Sequence, residues 1–280
     1  MRRTVVSRPV NPQCNREHQA SIDYPDAMSV PWFHVEALPG SGEIVLLDKK
    51  EAKHALGPRR LGDGDEVVVF DGQGSWASAR IGSRDERGGL ELVVGDHHRA
   101  VSENPSIELA ASLPKGDRLS TMLDMATQLG IAAFTPLKCT FSVVSLDRKR
   151  QDPTERWTRI MVEACKQSRR AILPVIGPES TPAAVIDRAT AEGATVIVGD
   201  AAGESPVEVA ASAGRLVVLV GPEGGFSPPE EQMLLDAESA GSIRRVAIGR
   251  GVLRVETAAA ALVALVRAAG SGGRAERSGP

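Results

Sequence analysis

Aromatic side chains make up only 3% of this 280-residue chain: one Tyr, three Trp and five Phe. A surface that holds single-stranded RNA mainly by stacking bases on rings is therefore not its main recognition device. The three cysteines, Cys14, Cys139 and Cys165, are odd in number and lack metal-ligand spacing. Reduced thiols in a cytoplasmic protein are the expectation. His97 and His98 adjoin without metal partners, and no metal site is expected. No apolar run approaches the ~20 residues of a membrane span, and Arg2 and Arg3 precede no apolar segment of the secretory kind. The net charge of −3 gives no overall basic field. A nucleic-acid partner would need only a local basic face, so the sum does not exclude one.

What is present is an ordinary globular composition, 42% hydrophobic and 25% charged, long enough for two domains. Residues 1–27 are polar, carry Pro9, Pro12 and Pro25, and show no period; a disordered tail is expected there and again at 271–280. Residues 28–100 read as short strands at 43–48, 66–71, 75–82 and 90–95, separated by Gly and Asp turns, with a hairpin connection at 71–74. A small β-barrel would remove their exposed edges.

Residues 105–270 alternate strands with helices. Strands are expected at 107–113, 132–137, 195–199, 215–221 and 244–249. Leu119, Met122, Leu123 and Ala126 mark one amphipathic helix, and Trp157, Ile160, Met161, Ala164, Cys165 and Ser168 mark another. The expected class is α/β, with a mostly parallel sheet covered by helices on both faces. A last helix is expected from an N-cap at Thr257 to just before Gly270, with an apolar stripe of Ala258, Ala261, Leu262, Leu265 and Val266.

Two glycine-bearing loops leave strands of this region, each just before a helix. The first is Gly221, Pro222, Glu223, Gly224 and Gly225; the second runs through Ala247, Ile248, Gly249, Arg250, Val252, Leu253 and Arg254. Glycine lets backbone approach a ligand closely, so the pair suggests a pocket made largely of main chain. Neither is a phosphate loop, since no Gly-Lys-Ser/Thr follows and the spacing is not G-x-G-x-x-G. The plainer reading of the first is a strand-to-helix turn, with Ser227 as N-cap and Pro228 at the first helical position. Val198, Gly199 and Asp200 end another strand and would form a third wall, or Asp200 merely caps a turn. Arg254 and Glu256 could equally be a surface ion pair, and Glu256 suits the start of a helix electrostatically.

The paired segments GPEGGF and LRVETA resemble the signature of the SPOUT methyltransferases. The likeness is greatest to the family that methylates N3 of a uridine in small-subunit (16S) ribosomal RNA. The stretches at 61–74, 112–137 and 155–170 resemble family segments in the same order, over about Pro31 to Ala269. The resemblance implies a PUA-like RNA-binding barrel followed by a domain whose last helix is threaded into a trefoil knot. It implies S-adenosylmethionine as cofactor, a homodimer, and ribosomal RNA or the assembled subunit as partner, with no membrane and no metal. The cofactor would be held by Val198, Gly199, Asp200, Gly221, Pro222, Glu223, Gly224, Gly225, Ala247, Ile248, Gly249, Val252, Leu253, Thr257 and Ala258. Arg254 and Glu223 would be catalytic, and His54, Arg60, Lys166, Arg169 and Arg170 would contact RNA.

The basic run Arg148, Lys149, Arg150 with Arg156 and Arg159 is interleaved with acids, and reads either as a solvated helix face or as a phosphate-contacting surface. The family pattern is departed from at Thr140, Phe141 and Ser142, at Ile172, and at Gly251, all on the presumed substrate side. Two readings therefore stand: a uridine-N3 methyltransferase, or an RNA-binding ribosome-assembly factor of the same fold with little catalysis.

Overall fold

The computed structural model describes residues 30–57, 59–85, 88–144, 146, 153–204, 214–249 and 251–272. The expected tail 1–27, residues 273–280 of the expected tail 271–280, and the basic run Arg148–Arg150 lie outside these residues, whereas Ser271 and Gly272 of that second tail belong to a helix. Residues from Pro31 onward form one compact unit.

Its first part is a five-stranded sheet. The strands are β1 (Trp32–His34), β2 (Ile44–Leu47), β3 (Glu66–Phe70), β4 (Ser75–Arg84) and β5 (Leu90–Arg99), in the order β1-β3-β4-β5-β2. All pairings are antiparallel except β1 with β3. The hairpin expected at 71–74 is built by Asp71, whose Oδ1 accepts from the amides of Gln73 (2.7 Å) and Ser75 (3.0 Å). Alternate residues of β5, Leu90, Leu92 and Val94, turn into a core with Phe33, Val67 and Val69, as a sheet with one buried face requires. One element was not expected: helix α1 (Lys49–Leu56), capped by Asp48 accepting from Glu51 N at 2.8 Å, and burying Ala52 and Ala55.

The second part is a six-stranded sheet in which every pairing is parallel. Its strands are β6 (Ser106–Ser112), β7 (Ala133–Leu137), β8 (Val175–Ile176), β9 (Thr195–Glu204), β10 (Arg215–Val220) and β11 (Ile243–Val246), in the order β11-β9-β10-β6-β7-β8. Alternation along β10 shows why its sequence is continuously apolar. Val218 and Val220 enter one core with helices α2 (Arg118–Gln128) and α3 (Thr154–Ser168), while Val217 and Leu219 enter another beneath α4 (Pro182–Ala191) and α5 (Pro228–Ser239). The expected α/β class with a mostly parallel, doubly covered sheet is what the chain adopts.

The last helix, α6, spans Val255–Gly272, longer at both ends than expected. Ala258 N already donates to Arg254 O at 2.9 Å, so Thr257 is an exposed residue of the first turn and not the N-cap. Gly270 does not stop the helix; a Cβ there would come within 2.2 Å of Pro105 Cδ, so the glycine permits a close approach. The fully buried stripe is Ala259, Leu262, Val263 and Val266, which leaves Ala258, Ala261 and Leu265 only half-buried.

The two sheets are joined by buried charge. Lys166 of α3 places its Nζ 2.9 Å from Glu51 Oε2 on α1 and 2.9 Å from Glu163 Oε1, and 5.7 Å from the centre of the Phe33 ring. Glu103, in the connection between the sheets, pairs with Arg170 and, at 3.0 Å, with Arg267 of α6. Removing one partner of a buried pair strands the other. Because Glu51 and Glu163 are 22% and 62% exposed and stay hydrated when left unpaired, Lys166→Ala should lower stability by ~2 kcal/mol, measured by urea unfolding. A loss of under ~1 kcal/mol would mean that the group is screened like a surface pair.

Candidate functional site

The carboxyl ends of β9, β10 and β11 lie side by side, and the segments leaving them surround a cleft of 320 Å³. After β10, the main chain turns through Gly221–Gly225, with Gly225 N donating to Pro222 O at 2.9 Å and Gly225 at φ +75°. Gly221 lies against the ring of Phe226; a Cβ there would be 2.6 Å from that ring. In β9 the ladder to β11 breaks: Val198 faces Arg245, yet Val246 faces Glu204. The residues between leave the ladder, which brings Gly199 and Asp200 to the cleft wall. The chain after β11 supplies Ile248, Gly249, Gly251, Val252 and Leu253. Val220, Val246, Val255, Ala258 and Leu262 complete the lining.

Eleven residues expected from sequence are thus gathered on one cleft: Gly199, Asp200, Gly221, Pro222, Glu223, Gly225, Ile248, Gly249, Val252, Leu253 and Ala258. Four are not in its wall. Val198 is buried in the core under α4 and α5, Thr257 is exposed on the helix, Ala247 is half-buried, and Gly224 faces Phe141 instead. Sequence reasoning missed Phe226, Glu231, Val255 and Leu262. The spacing of Val255, Ala258 and Leu262 at i, i+3 and i+7 was a legible signal. Nothing local marked Glu231, which reaches the wall from α5.

The expected RNA contacts fare differently. Lys166, with a side chain 4% exposed, is a buried post between α1 and α3, which corrects its reading as a phosphate contact. Arg170 is paired with Glu103 and mostly buried. Arg169 is half-buried at φ +58°, where it ends α3. Arg60 is exposed, and His54 lies on α1. Arg254 is exposed at the entrance to α6; Glu256 is buried in its first turn, where the helix amides favour a carboxylate. Glu223 lies at the cleft wall, ion-paired to Arg118. Cys139 and Cys165 are buried, and burial pushes the Cys165 thiol up to about 12, so neither is a nucleophile. Among the described residues no group of His, Cys, Asp or Glu could hold a metal ion, and no helix is long and apolar enough to cross a membrane.

Residues 102–267 match a family described as the RNA methyltransferase domain. Over 240 residues the chain is 36% identical to the ribosomal RNA small subunit methyltransferase E of Mycobacterium bovis, covering 84% of this chain and 90% of that one. The Bacillus subtilis protein of the same name is 27% identical over 220 residues, covering 75% and 84%. A crystal structure of ribosomal RNA small subunit methyltransferase E from Neisseria gonorrhoeae, bound to S-adenosyl methionine, shares the fold at TM-score 0.73. It is 26% identical, with 85% of this chain and 97% of that one covered. The chain belongs to this RNA methyltransferase family.

In this methyltransferase the unusual residues after β7 have a structural role. Thr140 N donates to Glu230 Oε1 at 2.8 Å, and Glu230 Oε2 accepts from Ser227 N and Ser227 Oγ, both at 2.8 Å. Phe141 covers Gly224, where a Cβ would meet its own Cβ at 3.3 Å. Ile172 packs on Gly74 of the β3–β4 hairpin and bridges Gln73. Glu230 thus fastens the loop after β7 to the glycine loop and opens α5. Burial opposes ionisation of Glu230, yet hydrogen bonds from Ser227 and Thr140 outweigh it and hold the carboxyl below its usual range. A carboxyl lowered in the folded state stabilises above the unfolded value, and that contribution is lost as pH falls through the folded one. Glu230→Gln should therefore be less stable than the parent at neutral pH. The two unfolding curves should converge as pH falls through and below the ordinary carboxylate range; a gap that stays constant with pH would contradict this.

Proposed function

We propose that this protein methylates N3 of a uridine in small-subunit (16S) ribosomal RNA, using S-adenosylmethionine. The observation that carries the reading is the cleft itself, glycine-backed and apolar, at the ends of three parallel strands in a member of an RNA methyltransferase family. The residues fit the cofactor. Ile248, Leu253, Val255 and Leu262 supply apolar walls for an adenine, and Gly221 and Gly249 admit backbone donors and acceptors at its edges. Asp200, Glu223 and Glu231 complement its cationic groups.

When bound in the cleft, the cofactor would supply an electrophilic methyl on a cationic sulfonium. The protein's own part is to align, exclude water and manage the N3 proton. Loss of that proton leaves negative charge on the flanking carbonyl oxygens, which an adjacent cation stabilises. Arg254, exposed and just beyond the cleft wall at Leu253, is assigned that role. Glu223, directed by Arg118, is the carboxylate placed to take the proton or to hold the cofactor's cationic end.

We read the five-stranded sheet with α1 as a PUA-like RNA-binding barrel, within a domain over 28–100, and 105–270 as a knotted methyltransferase domain in a cytoplasmic protein. His54, Arg60 and Arg169 are the remaining candidates for RNA contact. The half-buried Ala258, Ala261 and Leu265, with Phe141 and Val252 exposed beside the cleft, suit a homodimer. Light scattering should then return twice the 29.5 kDa chain mass; a monomer at micromolar concentration would contradict it.

Incubation with methyl-labelled cofactor and small-subunit RNA, followed by nucleoside analysis, should yield N3-methyluridine. Retained RNA binding without transfer would favour the assembly-factor reading instead. Arg254→Ala should cut turnover by roughly a hundredfold with cofactor affinity nearly unchanged. Parental turnover in that variant would remove Arg254 from the mechanism.

A further inference from the structure

Among the described residues, the charged side chains that line the cleft are all of one sign. Asp200, Glu223 and Glu231 line it, and among the described residues no lysine, arginine or histidine does. Each carboxylate is gripped from outside. Arg118 holds Glu223. Arg245, on β11, places Nη1 2.6 Å from Asp200 Oδ2 and 2.7 Å from Glu231 Oε1, with Nε 3.2 Å from Glu238 Oε2. Its side chain is 12% exposed, against 27% for Asp200 and 40% for Glu231.

One guanidinium therefore serves three carboxylates, two of them in the cleft wall. Burial works against the charge on Arg245, but the bonds to Asp200 and Glu231 outweigh it and raise its pKa above the ordinary value. The cation is permanent, and its single charge faces three acids. The carboxylates that it braces stand in a partly desolvated place, where charge on a ligand is felt more strongly than in water. The methyl donor and the product left after transfer share the adenine, the ribose and the amino-acid end. They differ in the methyl and in the charge on sulfur, cationic before transfer and neutral after it.

We propose that Arg245 is a positioning residue, holding Asp200 and Glu231 at the cleft wall so that the cleft retains the cationic methyl donor in preference to its neutral thioether product. The inference rests on the function proposed above. It gives the spent cofactor a reason to leave, because the attraction to sulfur is discharged by the reaction itself. A carboxylate that merely bonded a ribose hydroxyl would hold donor and product alike.

Calorimetry on the full chain with S-adenosylmethionine and with S-adenosylhomocysteine separates these cases without measuring catalysis. Parental protein should bind the methylated form more tightly. Asp200→Asn and Glu231→Gln should each lower the donor-to-product affinity ratio, by up to roughly fivefold, the scale of a partly exposed ion pair. The loss should fall on the donor, with product affinity almost unchanged. Arg245→Met should lower the ratio, and Arg245→Lys should restore part of it, since lysine keeps the charge but not the fork that serves two carboxylates. Melting temperatures of the same variants show whether a fall in binding is unfolding, which would lower both affinities together. Equal binding of both compounds by the parent, or an equal fall for both in Asp200→Asn and Glu231→Gln, overturns the selectivity while leaving the proposed function intact. Binding of neither compound by folded parent overturns both.

Discussion

Every strand of the six-stranded sheet points the same way, and the site depends on that alignment. Parallel strands deliver their carboxyl ends to one edge, so the segments after β9, β10 and β11 meet although they are distant in sequence. The last helix completes the arrangement by laying Leu262 and Val266 into the core under β6 and β10 while Val255 and Ala258 reach the cleft. Small residues then tune the approach. A Cβ at Gly199 would sit 2.9 Å from Leu262 Cδ1, so helix and strand close on each other only because that side chain is absent.

Four basic side chains of this molecule act as internal braces. Lys166, Arg170, Arg245 and Arg267 are each paired with glutamate or aspartate and are at most 17% exposed. Arg267 also donates to the carbonyls of Pro105, at 2.6 Å, and Gly130, at 2.5 Å, so one side chain holds the connection between the sheets and the turn after α2. Cations used in this way are unavailable to phosphate. On α3 this removes Lys166 from the surface open to RNA, while Arg156 and Arg159 stay exposed.

The class of fold was legible because its signal is periodic. Val217 to Val220 alternate between two cores, and Met122, Leu123 and Ala126 fall on one buried face, so local spacing reports burial directly. Helix α1 was hidden because Lys49–Leu56 is short, largely polar and exposed, and its only buried apolar residues are two alanines. The glycine loops were legible as a pair, but which of their residues line the cleft was not. Gly224 and Gly225 are neighbours of identical chemistry, and only the path of the turn sends one to Phe141 and the other to the cleft. Glu231 and Arg245 belong to the site through side-chain pairing across elements, a relation that no one-dimensional pattern encodes.

The two halves of the chain are pinned at three separate places: Lys166 to Glu51, Ile172 to the β3–β4 hairpin, and Glu103 to Arg170 and Arg267. Such a joint has no free swivel. The separation between the outer face of the first sheet and the mouth of the cleft is therefore a fixed span, like that between the locked jaws of a caliper.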